Sequence, residues 1–207
     1  MGHEADQAVE RNDSVDQPEL FQTEPDLIAL YSPVMGSGKS EVAKVLVEEY
    51  GFTLVKFAGC LKEMTRVFLG YIGFDPEEMV EGSLKEEPIP GWGELTPRRL
   101  MQTLGTEWGR NHIHQDLWIK VAHDQIKSLR SRGLPVVVDD MRFPNELGLI
   151  KQMGGDAIKV IRPDITLLDS RSHESEAGLH AYDFDFHLFN DGTLDQLRSK
   201  VRASMGY

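Results

Sequence analysis

The chain is poor in cysteine and has no long apolar run. Its single cysteine, Cys60, among 207 residues excludes an internal disulfide framework and a zinc site built from several cysteines. Its apolar runs fall well short of the ~20 residues that a membrane-spanning helix needs, and its N-terminus lacks the basic-then-apolar pattern of a signal peptide. We therefore expect a cytoplasmic protein that does not associate with membranes.

Positive charge is also scarce, with 22 Lys and Arg against 34 Asp and Glu and a net charge of −12. This balance disfavours a nucleic-acid polymer as partner, because such proteins neutralise phosphates with clustered basic residues. The acidic excess is strongest in residues 1–26, where eight carboxylates accompany Arg11. Low hydrophobicity with high charge predicts a disordered or loosely attached tail there, with an acidic interaction arm as the functional alternative.

Residues 27–207 are long enough for one domain with a sizeable core, and strand-like and helix-like segments alternate along them. We expect strands at about 27–31, 53–58, 134–140, 156–163 and 185–189. We expect helices after Lys39, at 61–69, from Thr96, at 117–132, through 145–154 and from 194. Glycines and prolines predict a loop-rich insertion at about 71–97. This alternation predicts a doubly wound α/β domain with a parallel sheet.

A candidate phosphate-binding loop, SPVMGSGKS at 32–40, lies between the first strand and the first helix. In the pattern G-x-x-x-x-G-K-[ST] the last three positions match, but Pro33 takes the place of the first glycine. Lys39 would reach the β- and γ-phosphates of a nucleotide, and Ser40 would bind Mg²⁺. A strand-to-helix turn without function is the alternative. The anion nest would comprise the backbone N–H groups of Gly36, Ser37, Gly38, Lys39 and Ser40.

Two aspartates, Asp139 and Asp140, close the apolar strand at 134–140, where such folds place a magnesium-orienting carboxylate. Neighbouring side chains on a strand point to opposite faces, so we expect one of them, Asp140, to serve the metal directly or through water. Arg142 could clamp a phosphate with two hydrogen bonds. A salt bridge from Arg142 to Asp140 or Glu146 is the structural alternative.

With these motifs placed, the sequence resembles the phage-type deoxynucleoside monophosphate kinases of the P-loop nucleoside monophosphate kinase superfamily. The resemblance covers about 27–201, and its most specific segments are LGTEWGR (104–110), DDMRFPNE (139–146) and HESE (173–176). It implies a three-layer P-loop kinase fold with a central parallel sheet, a helical monophosphate-binding insertion near 71–97 and a lid near 163–178. It also implies transfer of the ATP γ-phosphate to deoxynucleoside monophosphates with Mg²⁺, in the host cytoplasm if a phage encodes the chain, and suggests a homodimer.

The same resemblance implies an acceptor pocket behind the second strand and along the helix from Thr96. Arg98, Gln102 and Thr106 recur every four residues and would share a helical face. Phe57 and Trp108 would suit the core as well as a ligand contact. The implied pocket comprises Phe57, Ala58, Lys62, Arg98, Gln102, Gly105, Thr106, Trp108 and Arg110.

Two further segments receive roles from the resemblance. Arg171, in the lid, would bring a cation to the transferred phosphoryl group as the lid excludes water. Asn190, Gly192 and Thr193 would border the adenine of ATP, although Asn-Asp-Gly followed by a Thr N-cap is also ordinary turn chemistry. The implied catalytic groups are Lys39, Asp140, Arg142 and Arg171.

Two other functions stay open at this point. One is a different small-molecule P-loop kinase, resembling dephospho-coenzyme A kinase, which shares the loop, the lid and the terminal turn. The other is a P-loop regulatory or binding module whose nucleotide controls a partner. The segment LGTEWGR favours a kinase over a switch, because a switch needs no acceptor pocket.

Overall fold

The computed structural model describes residues 24–163, 179 and 184–206. Within them lies a parallel sheet of five strands in the order β2-β3-β1-β4-β5. This arrangement confirms the predicted α/β class, because adjacent parallel strands must be joined by crossover connections. The strands are β1 (Leu27–Tyr31), β2 (Thr53–Val55), β3 (Val136–Val138), β4 (Asp156–Ile161) and β5 (Phe186–Phe189).

Helices provide the crossovers from β1 to β2, from β2 to β3 and from β3 to β4, and their positions agree with the predicted ones to within a few residues. The helix that begins at Pro97 changes character midway: the α-helical part continues directly into a π-helix, Thr103–Ile113. The α-helices are α1 (Lys39–Tyr50), α2 (Gly59–Tyr71), α3 (Pro76–Val80), α4 (Pro97–Gln102), α5 (Leu117–Ser131), α6 (Pro144–Gln152) and α7 (Leu194–Ser204).

Alternation along the strands sorts the helices into two layers. Ala29 and Val138 pack in one apolar cluster with residues of α5 and α6, on what we call the α5 face. Leu30 and Val137 pack on the opposite side with residues of α1 and α7, on the α1 face. Both faces are covered, which explains why the central strands are continuously apolar.

The insertion at 71–97 is more ordered than a loop-rich segment. It contains α3 and a 3₁₀ helix, Ser83–Glu86, and the Asp75 side chain caps α3 by accepting the N–H groups of Glu77 and Glu78. Buried Met79, Val80 and Ile89 pack with Leu69 of α2 and Met101 of α4. The insertion is therefore fixed to the body of the domain by its own apolar cluster.

Several predicted features lie wholly or mostly outside the described residues. These are the first 23 residues of the acidic tail and nearly all of the lid, including Arg171. No helix in the described part of the chain has the length and hydrophobicity that a bilayer crossing requires.

Candidate active site

The predicted phosphate loop leaves β1 and ends at the start of α1. Gly36 and Gly38 have φ angles of 70° and 102°, which side chains with a Cβ rarely adopt. Gly38 is the N-cap of α1, and among the described residues no side chain caps this helix. Lys39 Nζ lies 3.4 Å from the carbonyl oxygen of Ser32, and Ser40 is exposed on the first turn. The helix N-terminus is thus available to an anion.

Asn190 supports this loop from behind. Its buried Nδ2 donates to the carbonyl oxygen of Ser37 at 2.9 Å, and Arg162 donates to the carbonyl oxygen of Gly36 at 2.9 Å. A Cβ added to Gly38 would lie 2.7 Å from Asn190 Nδ2. The end of β5 therefore holds the loop in shape, a role for Asn190 beyond its predicted position beside adenine.

Gly192 and Thr193 form the turn into α7. The Thr193 hydroxyl accepts the N–H of Gln196, whose side chain accepts the N–H of Thr193 in return. This reciprocal capping satisfies two backbone donors at the start of the helix. The structure thus shows the capping alternative directly, and contact of these residues with adenine stays a prediction.

The two aspartates that follow β3 have different partners. Asp140 accepts hydrogen bonds from the backbone after β2, whereas Asp139 pairs with a lysine side chain. Asp139 Oδ2 pairs with Lys56 Nζ at 2.9 Å. Its Oδ1 is buried and has no hydrogen-bond partner among the described residues. A buried carboxylate oxygen without a donor is unfavourable unless a ligand supplies one.

Both carboxylate oxygens of Asp140 are hydrogen-bonded to backbone amides. Its two oxygens accept the N–H groups of Phe57 at 2.9 Å and Ala58 at 3.0 Å. Burial raises the pKa of Asp140, against the effect of these two amides, which favour the charged form. The contact turns the chain after Val55 toward α2, which is why the second strand ends three residues earlier than predicted.

A cavity of about 340 Å³ opens beside Asp140, between α2, the insertion, the helix from Pro97 and the chain that follows β3. All the residues predicted for the acceptor pocket line it except Trp108, and Asp140 and Arg142 line it too. Sequence reasoning did not place Leu61, Lys85, Met101, Trp118, Phe143 and Glu146 in this wall.

Trp118, rather than Trp108, is the tryptophan of the cavity wall. It is buried, and its indole N–H donates to the carbonyl oxygen of Gly105 at 2.8 Å. A Cβ on Gly109 would lie 2.6 Å from Trp118 Cζ2, so the glycine permits the close contact. Trp108 is 40% exposed and packs at a tilt against Trp118. Trp108 is therefore neither part of the cavity wall nor fully buried in the core.

Glu146 is a buried carboxyl in the cavity wall. Its Oε2 accepts the N–H groups of Arg142 at 2.7 Å and Phe143 at 3.0 Å. Burial, opposed by these amides and assisted by the charge of Asp140, raises the pKa of Glu146 to about 7. Arg110 lies 3.9 Å from Oε1 and stacks over the Phe143 ring at 4.4 Å. Glu146 is the last residue of the motif DDMRFPNE, and that position was the sequence signal that could have placed it in the site.

A family model and two viral relatives each match half of this chain or more. A family model described as deoxynucleotide monophosphate kinase matches residues 92–201. A protein of Acanthamoeba polyphaga mimivirus, provisionally described as a deoxynucleotide monophosphate kinase, is 30% identical over 80% of this chain and 89% of its own length. The deoxynucleotide monophosphate kinase of Enterobacteria phage T4 is 36% identical over 52% of this chain. That match spans 44% of the phage protein.

Among solved structures, dephospho-CoA kinase from Campylobacter jejuni is similar at 15% identity and a TM-score of 0.39. The match covers 87% of this chain and 96% of that one. A likeness of this size does not bear on function.

Proposed function

Because the chain belongs to the deoxynucleotide monophosphate kinase family, we propose that it transfers the γ-phosphoryl group of ATP to a deoxynucleoside 5′-monophosphate. Family membership confirms the resemblance found in the sequence and makes the chain a phosphotransferase. The observation that carries the proposal is the placement of two sites at one edge of the sheet. The phosphate loop follows β1, and the cavity lies beside the end of the neighbouring parallel strand β3. Ligands bind at this carboxyl edge in such sheets.

The charges of the cavity suit a phosphate acceptor. Lys62, Arg98, Arg110 and Arg142 all line it, and a monophosphate is largely dianionic at neutral pH. Such an acceptor needs no general base, so positioning and neutralisation of charge account for most of the catalysis. The arginines can each present two parallel donors to phosphate oxygens.

The other walls suit a nucleobase. Phe57, Leu61, Met101 and Trp118 supply apolar surface, on which a base can pack, and Gln102 offers both a donor and an acceptor to a base edge. We therefore assign the base to the wall that Trp118 forms and the phosphate to the cationic wall.

Magnesium fits this site through Asp139. The buried Oδ1 of Asp139 lacks a hydrogen-bond partner among the described residues, and Asp139 directly follows β3, the neighbour of the strand from which the phosphate loop leaves. Both oxygens of Asp140 accept backbone amides instead. We therefore transfer the predicted metal role from Asp140 to Asp139, with Ser40 as the ligand from the loop. Bound Mg²⁺ would neutralise charge on the phosphates of ATP.

Lys39 would hold the transferred phosphoryl group from the loop, and Arg142 would hold it from the acceptor side. Arg171 as a lid cation, adenine contact at Gly192 and Thr193, and a homodimer stay predictions, as does the absence of a nucleic-acid partner.

A panel assay tests the proposal. Purified protein with ATP and Mg²⁺ is offered the four deoxynucleoside monophosphates and dephospho-coenzyme A, and ADP release is measured. We expect turnover with at least one monophosphate and none with dephospho-coenzyme A. Lys39→Ala, as control, should lose at least 100-fold in kcat while keeping the circular dichroism spectrum of the wild type. Failure to phosphorylate any of the four nucleotides would refute the proposal.

A further inference from the structure

Lys85 reaches the cavity from the insertion, where sequence patterns predicted loops. It belongs to the 3₁₀ helix Ser83–Glu86, is partly buried and lines the cavity. It forms no hydrogen bond or ion pair with any described residue. An ammonium group that gives up part of its hydration without gaining a partner is electrostatically unfavourable.

The neighbours of Lys85 increase this cost. Burial lowers the pKa of Lys85, and the positive charges of Lys62 and Arg98 lower it further, against the weaker opposing effect of Glu81 and Glu86. Both neighbours line the same cavity. Three cations from α2, the 3₁₀ helix and α4 thus converge on one wall.

Lys62 and Arg98, the two cations beside Lys85, each form an ion pair with a carboxylate of the insertion. Lys62 Nζ pairs with Glu81 Oε1 at 2.7 Å, and Arg98 pairs with Glu86. Lys85 is not paired with Glu86, although that residue follows it directly in the chain. Among the described residues, Lys62 and Arg98 thus each have an ion pair at the cavity, and Lys85 has none.

We propose that Lys85 binds the phosphate of the acceptor nucleotide, and that Lys62 and Arg98 exchange Glu81 and Glu86 for the same phosphate when it enters. This inference rests on the proposed function and extends it by making the insertion a part of the acceptor site. The ligand class is a phosphate monoester dianion, whose two negative charges relieve the repulsion among the three cations. In the free protein Glu81 and Glu86 keep Lys62 and Arg98 at the cavity through their ion pairs.

Steady-state kinetics test the inference through Lys85→Met. We expect KM for the deoxynucleoside monophosphate to rise about 10- to 100-fold, as loss of a charged hydrogen bond requires, with KM for ATP unchanged. Lys85→Arg should restore most of the affinity, since it keeps the charge. Lys127→Met, an exposed lysine of α5 outside the cavity, is the matched control and should behave as wild type.

A second measurement does not depend on turnover. Lysines are acetylated briefly with acetic anhydride, and modification of Lys85 and Lys127 is followed by mass spectrometry. We expect each monophosphate that binds to protect Lys85, whereas the matching deoxynucleoside without phosphate should not, and Lys127 should react equally throughout.

The two experiments separate the inference from the proposed function. Normal turnover with an unchanged KM in Lys85→Met, or equal protection by nucleoside and nucleotide, would overturn the inference and leave the kinase assignment intact. Protection of Lys85 by monophosphates in a protein that phosphorylates none of them would uphold the phosphate site and refute the proposed function.

Discussion

At the scale of single residues, the phosphate loop depends on the close packing around Gly38 as well as on the groups that would bind phosphate. Gly38 has a positive φ and also faces Asn190 Nδ2 at a distance that a Cβ would reduce to 2.7 Å. Gly51, at the end of α1, has a φ of 72° with nothing within 4 Å of an added Cβ. These two glycines allow backbone strain to be separated from collision.

Gly38→Ala should therefore impair the loop more than strain alone would. We expect it to raise KM for ATP at least 10-fold and to lower the free energy of unfolding by about 2–4 kcal/mol, because Asn190 must move. Gly51→Ala, with strain only, should cost about 1–2 kcal/mol and leave KM for ATP unchanged. Steady-state kinetics with varied ATP and urea unfolding measure the two quantities, and equal effects of the two variants would contradict the supporting role of Asn190.

Glu146 should make folding stability depend on pH. Its pKa of about 7 in the folded protein exceeds the ordinary value of 4.5, so the folded state holds the proton more tightly. The stability that the protonated group contributes is complete below about pH 4.5 and is lost as the pH rises through about 7. Glu146→Gln does not ionise and should gain up to about 3 kcal/mol relative to wild type between pH 5 and pH 8.

Urea unfolding at the two pH values measures this difference. Glu94→Gln, at an exposed carboxylate before α4, is the control and should follow the wild type at both. Parallel pH profiles for Glu146→Gln and wild type would show that Glu146 ionises in the folded protein as it does in the unfolded chain.

The family resemblance, supported by helical spacing, predicted most of the cavity wall but not all of its members. Arg98, Gln102 and Thr106 lie where a four-residue spacing on one helix places them. Lys85 escaped prediction because a single lysine in a segment rich in glycine and proline carries no periodic or motif signal. Its place depends on packing of Met79, Val80 and Ile89 against α2 and α4, which brings distant parts of the chain together.

At the scale of elements, the π-helix at 103–113 shapes the acceptor cavity. Thr96 and Pro97 correctly predicted where the helix begins, since a Thr N-cap and a first-turn proline are local signals. The change to π geometry was not predictable, because it accompanies the contact of Gly105 and Gly109 with Trp118, on α5. π-Helical turns often mark functional sites.

Gly109→Ala tests this element. The added Cβ would lie 2.6 Å from Trp118, so the indole must shift and the cavity wall with it. We expect a loss of about 1–3 kcal/mol in the free energy of unfolding, a change in tryptophan fluorescence and a raised KM for the monophosphate. KM for ATP should stay unchanged, because no residue of the phosphate loop lines the cavity and the loop is held by Asn190 and Arg162 instead.

Gly148→Ala is the matched control for this substitution. Gly148 is exposed in α6 and has nothing within 4 Å of an added Cβ, so alanine should stabilise the helix by about 0.5–1 kcal/mol. Similar kinetics and stability in the two variants would show that the π-helix does not depend on its close contact with Trp118.

At the scale of the whole molecule, the phosphate loop and the acceptor cavity lie beside each other at the carboxyl edge of one parallel sheet. The strand-helix alternation predicted this sheet because buried parallel strands are apolar throughout and need helical crossovers. It did not predict which partners each aspartate finds, since these depend on the register that β3 adopts between β1 and β2. Register arises from long-range pairing and is not encoded in the dipeptide.

The different partners of Asp139 and Asp140 predict different consequences for two adjacent, isosteric substitutions. Asp139→Asn should lower kcat at least 100-fold and raise the Mg²⁺ concentration needed for half-maximal rate, because it alters the carboxylate whose Oδ1 has no hydrogen-bond partner among the described residues. Asp140→Asn keeps one acceptor for the Phe57 and Ala58 amides but loses the second. It should therefore lower the free energy of unfolding by about 1–3 kcal/mol and raise KM for the monophosphate, with the Mg²⁺ dependence unchanged. Magnesium titrations of both variants decide the assignment, since a shifted Mg²⁺ requirement in Asp140→Asn alone would return the metal to Asp140.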